Sequence, residues 1–248
     1  MSTNELKHTL KRLRLSGMLE TLQDRVAYAK GTHLTYMEFL ELVLQDELQR
    51  RERNSLSRRM KYALVDPTQS LEAFDWEAKG RVDREMLKEL FSLEFIDRHE
   101  NVIFCGPVGV GKTFLANALA HSACRRGKKV LMQRAKKIFS ALWQSRADHS
   151  FERELMRFIS PDLLVIDDLG LQRLSLQEAN DFYEIVVERH GKASTIITSN
   201  RHVDEWEALF DDPILANSAL DRFAHNAYQL IIEGESYRNR FRHPTGQP

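Results

Sequence analysis

At 248 residues, 42% of them hydrophobic, the chain can form one α/β domain plus a smaller partner around a sizeable core. Lys and Arg number 36 against 36 Asp and Glu, so no global field draws the molecule to nucleic acid or membrane, and any such surface is local. The two cysteines, Cys105 and Cys124, stand in no metal or redox spacing and suit a reducing cytosol better than a disulfide framework.

The leader MSTNELKHTLKRLRL alternates charge with leucine and has no continuous apolar stretch. No run in the chain approaches the roughly 18 apolar residues of a membrane span. A soluble cytoplasmic protein with no membrane partner is expected.

Residues 1 to about 75 read as helices only. Ser2, Thr3, Asn4 and Glu5 offer a capping box before Leu6, Leu10 and Leu13 at helical spacing, and Met18, Leu22 and Val26 continue after a break at Ser16 and Gly17. A second box, Thr35 to Glu38, opens a longer helix through Phe39, Leu40, Val43 and Leu48. Helical period is lost at Asp66 and Pro67, followed by Thr68, Gln69 and Ser70. The expected organisation is an all-helical partner or assembly domain over 1–66, a linker over 67–80 that passes Trp76, and an α/β domain over 81–248.

In the second part strands and helices alternate, as in a parallel sheet covered on both faces. The candidate strands are 102–105, 129–132, 163–167, 195–199 and 228–232, joined by right-handed crossovers. Cys105, Cys124, Met132 and Met156 are expected in the core, Trp143 and Trp206 in helices, and the nine histidines in no metal-ligand pattern.

After the first of these strands comes Gly106-Pro107-Val108-Gly109-Val110-Gly111-Lys112-Thr113-Phe114. This is G-x-x-x-x-G-K-T in the strand, loop, helix context that makes it a phosphate loop. Backbone N–H groups of the glycine-rich turn and the positive end of the following helix converge on phosphate. Lys112 reaches the β- and γ-phosphates, and Thr113 is placed to ligate Mg²⁺. ATP with Mg²⁺ is therefore the expected cofactor pair.

The apolar run Leu163 to Ile166 ends in Asp167 and Asp168. Acid delivered at the carboxyl end of a buried strand is the second ingredient of such nucleotide sites. Asp167 is assigned to Mg²⁺ and Asp168 to the attacking water. Asn200 ends the next strand, where its amide can bond the γ-phosphate or that water.

Together with Leu220-Asp221-Arg222-Phe223, these motifs resemble AAA+ ATPases of the branch containing helicase loaders of the DnaC type and DnaA. Leu163 to Gly170, Thr198-Ser199-Asn200 and Gly234-Glu235-Ser236-Tyr237-Arg238, behind a helical leader, are similar to IstB, the helper ATPase of two-gene insertion sequences. The resemblance covers essentially the whole chain. It implies an α/β fold built on a P-loop AAA+ core, with a five-stranded parallel sheet flanked by helices and a small all-α N-terminal domain in front.

The same resemblance makes Arg222 an arginine finger that enters a neighbouring subunit's ATP site, and Arg238 a further phosphate contact. The alternative for Arg222 is an ordinary pairing on its own helix surface. Two departures stand out: Asp168 occupies a place where many AAA+ proteins carry Glu, which implies slow turnover, and only 16 residues follow Ile232, too few for the usual helical lid.

Two basic clusters offer a phosphate-backbone surface. One holds Arg125, Arg126, Lys128, Lys129, Arg134, Lys136 and Lys137. The other holds Arg50, Arg51, Arg53, Arg58, Arg59 and Lys61 around Glu52. Neither has the interleaved aromatics that stack single-stranded bases; contact with duplex DNA without sequence reading is the expectation, although a solvated helix end remains open for the first cluster and a protein partner for the second.

The reading these features favour is an ATP-dependent transposition helper. It assembles as a homo-oligomer on duplex DNA with ATP sites at subunit interfaces, and it recruits the transposase of the same insertion sequence. A DnaC-like helicase loader, a P-loop kinase and an ATP-holding scaffold with little hydrolysis stay open as alternatives.

Overall fold

The structure, a computed structural model, describes residues 3–74, 80–234 and 236. Ser2, Trp76 and Arg238, each singled out in the sequence, lie outside the described residues. The chain divides into two compact units, 1–58 and 59–248.

The first unit is made of α1 (Thr3–Arg12), α2 (Ser16–Thr32) and the greater part of α3 (Tyr36–Ala63). The Thr35 box forms as expected: Thr35 N donates to Glu38 Oε2 at 2.7 Å, and Glu38 N to Thr35 Oγ1 at 3.3 Å. Leu10, Met18 and Val43 are the buried nucleus, with Leu15, Leu19, Leu22 and Phe39 packed against it. Leu13, Leu40 and Leu48, in phase by sequence, stand exposed, because three helices of this length enclose only a narrow interior.

Gly17 marks the closest approach of α2 to α3: a methyl group there would lie 2.7 Å from Glu47 Cα. Its N–H donates instead to Glu47 Oε2 at 2.6 Å. Nearby Asp46 accepts from Thr21 Oγ1 at 2.6 Å and from Arg25 Nε and Nη2 at 2.8 and 2.7 Å. These bonds hold the Asp46 carboxyl below its ordinary range, the Arg25 bond foremost.

The second unit opens with a 3₁₀ turn (Leu71–Ala73), β1 (Gly80–Arg81), α4 (Arg84–Ser92) and α5 (Glu94–Asp97). It continues with β2 (Asn101–Cys105), α6 (Lys112–Arg125), β3 (Val130–Arg134), α7 (Ala135–Ala147) and α8 (Phe151–Ile159). Then follow β4 (Leu163–Leu169), α9 (Leu176–Arg189), β5 (Ser194–Ser199), α10 (Pro213–Ala224), β6 (Ala227–Ile231) and β7 (Glu233–Gly234).

Five strands pair in parallel in the order β3-β4-β5-β2-β6, so the expected α/β architecture is borne out. β2, β5 and the first five residues of β4 are buried along their whole length, the pattern of strands covered by helices on both faces. β1 and β7 form a separate antiparallel ribbon that the sequence did not signal. The segment leading into it is fastened to α6 by Asn117, whose side chain accepts from Asp66 N and donates to the carbonyls of Asp66 and Gln69 at 2.9 to 3.0 Å.

Both cysteines are buried as expected. Met156 is not: it is exposed on α8, on the side away from Leu155 and Phe158, which carry that helix into the core. Trp206 is fully buried between two 3₁₀ turns rather than in an α-helix. Among the described residues no helix is long and apolar enough to cross a membrane.

Candidate nucleotide site

β4, β5 and β2 lie side by side, so in a parallel sheet their carboxyl ends open on one edge, where ligands of open α/β sheets bind. β2 delivers the phosphate loop there, β4 delivers Asp167 and Asp168, and β5 delivers Asn200. The elements thus gather on one edge what lies 94 positions apart in the chain, from Gly106 to Asn200.

The loop turns through positive φ at Gly106, Gly109 and Gly111. α6 then starts at Lys112, so its N-terminal end faces the loop. Lys112, buried, donates from Nζ to the carbonyls of Gly106 and Pro107 at 2.7 Å each. Val108 is exposed on the outside of the turn, and Phe114 faces Phe74 with ring centroids 5.8 Å apart.

Beneath the loop runs a chain of hydrogen bonds. Thr113 Oγ1 donates to Asp167 Oδ1 at 2.8 Å, Thr198 Oγ1 donates to the same oxygen at 2.6 Å, and Asp168 N donates to Thr198 Oγ1 at 2.9 Å. Asp167 and Thr198 are buried. One hydroxyl from β5 therefore sets both acids of β4. Asp168 adopts φ +59°, left-handed backbone uncommon for a residue with a Cβ. The strand register slips between Ile166 and Leu169 at that point.

A hard cation that takes one carboxylate, one hydroxyl and phosphate oxygens matches the Thr113 and Asp167 pair in donor type. Cys105, at the end of β2, has its thiol pushed up to about 11 by burial and stays protonated near neutrality. It contributes packing.

Arg222 is not brought to this edge. It sits in the last turn of α10, and the neighbouring Phe223 carbonyl accepts from Asn101 Nδ2, at the start of β2, at 3.2 Å. That is the amino edge of the sheet, a strand length from the phosphate loop of the same chain. The guanidinium bonds Ser218 O at 2.8 Å and lies over the Tyr183 ring.

Of the first basic cluster, Arg125 pairs with Glu72 at 3.1 Å, Arg126 bonds Ser92 O, and Lys128 pairs with Asp97. Arg134, Lys136 and Lys137 are exposed around the start of α7, and Arg134 Nε lies 4.0 Å from Asp168 Oδ2. Lys129 is exposed just before β3. Arg134 beside Asp168 was not foreseen. The signal for it is β3 pairing with β4, which aligns Arg134 with Asp167. The bridging hydroxyl of Thr198 was also missed as a site group. Its signal is a polar residue directly after the apolar pair Ile196 and Ile197 in a buried strand.

The family model described as IstB-like ATP binding protein matches residues 8–245. The chain belongs to the IstB-like family. It is an ATP-binding protein of insertion sequences with an AAA+ fold.

An insertion-sequence ATP-binding protein of Mycobacterium tuberculosis is 38% identical over 239 residues, 96% of this chain and 95% of that protein. Among solved structures, the DnaC helicase loader superposes with a TM-score of 0.55 at 22% identity, over 70% of this chain and 99% of that one. DnaA bound to AMPPCP and single-stranded DNA gives 0.57 at 22%, over 69% and 51%. These structures share the fold of this IstB-like chain.

Proposed function

We propose that this IstB-like chain hydrolyses ATP in a Mg²⁺-dependent reaction that governs its assembly on duplex DNA, and that the assembly recruits the transposase of its insertion sequence. The observation that carries the reading is the Thr113–Asp167–Thr198–Asp168 hydrogen-bond chain under the phosphate loop, with Arg222 on the opposite edge. The first half provides for catalysis. The second makes catalysis a property of two subunits.

In this scheme the loop N–H groups and Lys112 hold the β- and γ-phosphates, leaving the carbonyls Lys112 bonds in the present structure. Thr113 and Asp167 would hold Mg²⁺, which neutralises phosphate charge when bound. Asp168 accepts a proton from water as the water attacks the γ-phosphorus, Asn200 orients that water, and ADP and phosphate leave. Arg222 of one subunit stabilises charge on the transferred group in the next. Arg238 remains a proposed phosphate contact.

Arg134, Lys136 and Lys137 present the exposed cations for a DNA backbone at the same edge, whereas Arg125, Arg126 and Lys128 are engaged within the fold. The N-terminal helices, with Arg50, Arg53 and Arg58, are proposed to meet the transposase. A cytoplasmic site of action follows from the substrate.

Light scattering with duplex DNA, with and without ATP and Mg²⁺, tests the reading. A large complex that needs ATP and is lost in both Lys112→Ala and Arg222→Ala supports it. A monomer on DNA whose ATP turnover is indifferent to Arg222→Ala refutes the assembly mechanism.

A further inference from the structure

The glycines of a phosphate loop are usually read as room for phosphate. Two of those here also make room for protein. A methyl group at Gly106 would lie 2.2 Å from the carbonyl oxygen of Ile232, and one at Gly109 would lie 2.1 Å from Ser236 Oγ and 3.2 Å from Ser236 Cα. Real Cβ atoms do not approach other atoms so closely, so each glycine admits one point of the chain that follows β6.

That stretch is fixed ahead of Ser236. Ile232 N donates to Cys105 O at 2.8 Å, which carries the pairing of β6 with β2 up to the first residue of the loop. β7 then pairs with β1 through Gly80 with Gly234 and Arg81 with Glu233. Ile232 is fully buried, and Ser236 is half-buried. A strand end and a ribbon thus deliver one hydroxyl to the middle of the phosphate loop.

We propose that Ser236 is a positioning residue of the nucleotide site: resting on Gly109, it holds the loop in the conformation that turns its N–H groups inward, and ATP affinity depends on its hydroxyl. The proposal rests on the ATP site described above. Its physical basis is preorganisation: a loop that must order itself around phosphate loses conformational freedom on binding, and a group that orders it beforehand reduces that cost. The hydroxyl acts through the loop backbone, and Lys112 and Thr113 remain the groups that touch nucleotide and metal.

Ser236→Ala in the full chain tests this, with equilibrium binding of a fluorescent ATP analogue, thermal unfolding and hydrogen exchange of the loop as readouts. The expected result is a loss of affinity of about three- to tenfold, as the loop loses part of its preorganisation. Exchange over 106–113 becomes faster before nucleotide is added, and the unfolding midpoint is unchanged. In turnover, the loss falls on KM, with kcat retained.

Affinity within about twofold of the native protein overturns the proposal. So does a lowered unfolding midpoint with unchanged affinity, which would make the contact a matter of packing alone. Lys112→Ala separates this from the underlying reading: if that variant binds the analogue as the native chain does, the phosphate site itself is refuted, whereas loss in Lys112→Ala without loss in Ser236→Ala refutes only the role of Ser236.

Discussion

Thr198 donates its only hydroxyl proton to Asp167 and accepts from the amide of Asp168. Valine would keep its shape and remove both bonds, leaving a buried amide and a carboxylate oxygen short of a partner. A stability loss of about 1–3 kcal/mol follows, measurable by chemical denaturation, together with slower ATP turnover because both acids lose their alignment. Asp168→Asn acts differently. It keeps the amide bond and the fold but cannot take a proton, so turnover in a phosphate-release assay falls by about 10²- to 10⁴-fold while nucleotide binding persists.

The loop, Asp167, Asp168 and Asn200 were legible because each follows an apolar run at a strand's end. The link through Thr198 was not, since it depends on β5 lying next to β4, and neighbour order in a sheet leaves no local trace. Arg134 was legible as a cation and not as a neighbour of Asp168, for the same reason.

At the scale of elements, the packing of α2 on α3 turns on Asp46, which joins Thr21 and Arg25. Asp46→Ala removes three hydrogen bonds and is expected to cost about 2 kcal/mol. The carboxyl of Asp46 is held below its ordinary value of 3.8 in the folded chain. The folded state therefore binds fewer protons than the unfolded one, so this contribution is present above that value and is lost as pH falls through the lower, folded one. Helicity followed by circular dichroism between neutral pH and pH 3 checks the sign, and Asp46→Ala should flatten that part of the profile.

His121 on α6 behaves in the same sense at higher pH. Burial foremost depresses its imidazole below 6.5, and its Nδ1 has no partner. Acidification through the ordinary imidazole range must then cost stability that His121→Leu retains.

Helices and sheet strands were legible from period and apolar runs, because burial imposes those patterns over many residues. The β1–β7 ribbon was not: two residues per strand are too short to carry a period. Leu40 and Leu48 mark α3 as expected, yet they stand exposed in the fold.

For the molecule as a whole, the proposed ATP site lies on one edge of the sheet and Arg222 on the other. A single chain cannot join them, since the length of β2 lies between. Head-to-tail stacking can, and such heterologous contacts propagate into rings or filaments. Salt should weaken any assembly on DNA that uses Arg134, Lys136 and Lys137, as released counterions lose their advantage.

The most direct test of this account mixes two variants, Arg222→Ala and Asp168→Asn, each deficient in ATP turnover alone. Where the finger acts between subunits, a site with its own Asp168 can borrow Arg222 from a neighbour. Random one-to-one mixing then restores about a quarter of native turnover, the share of interfaces that pair the two intact halves. Turnover no greater than the sum of the separate variants would contradict shared sites and return Arg222 to a role on its own helix.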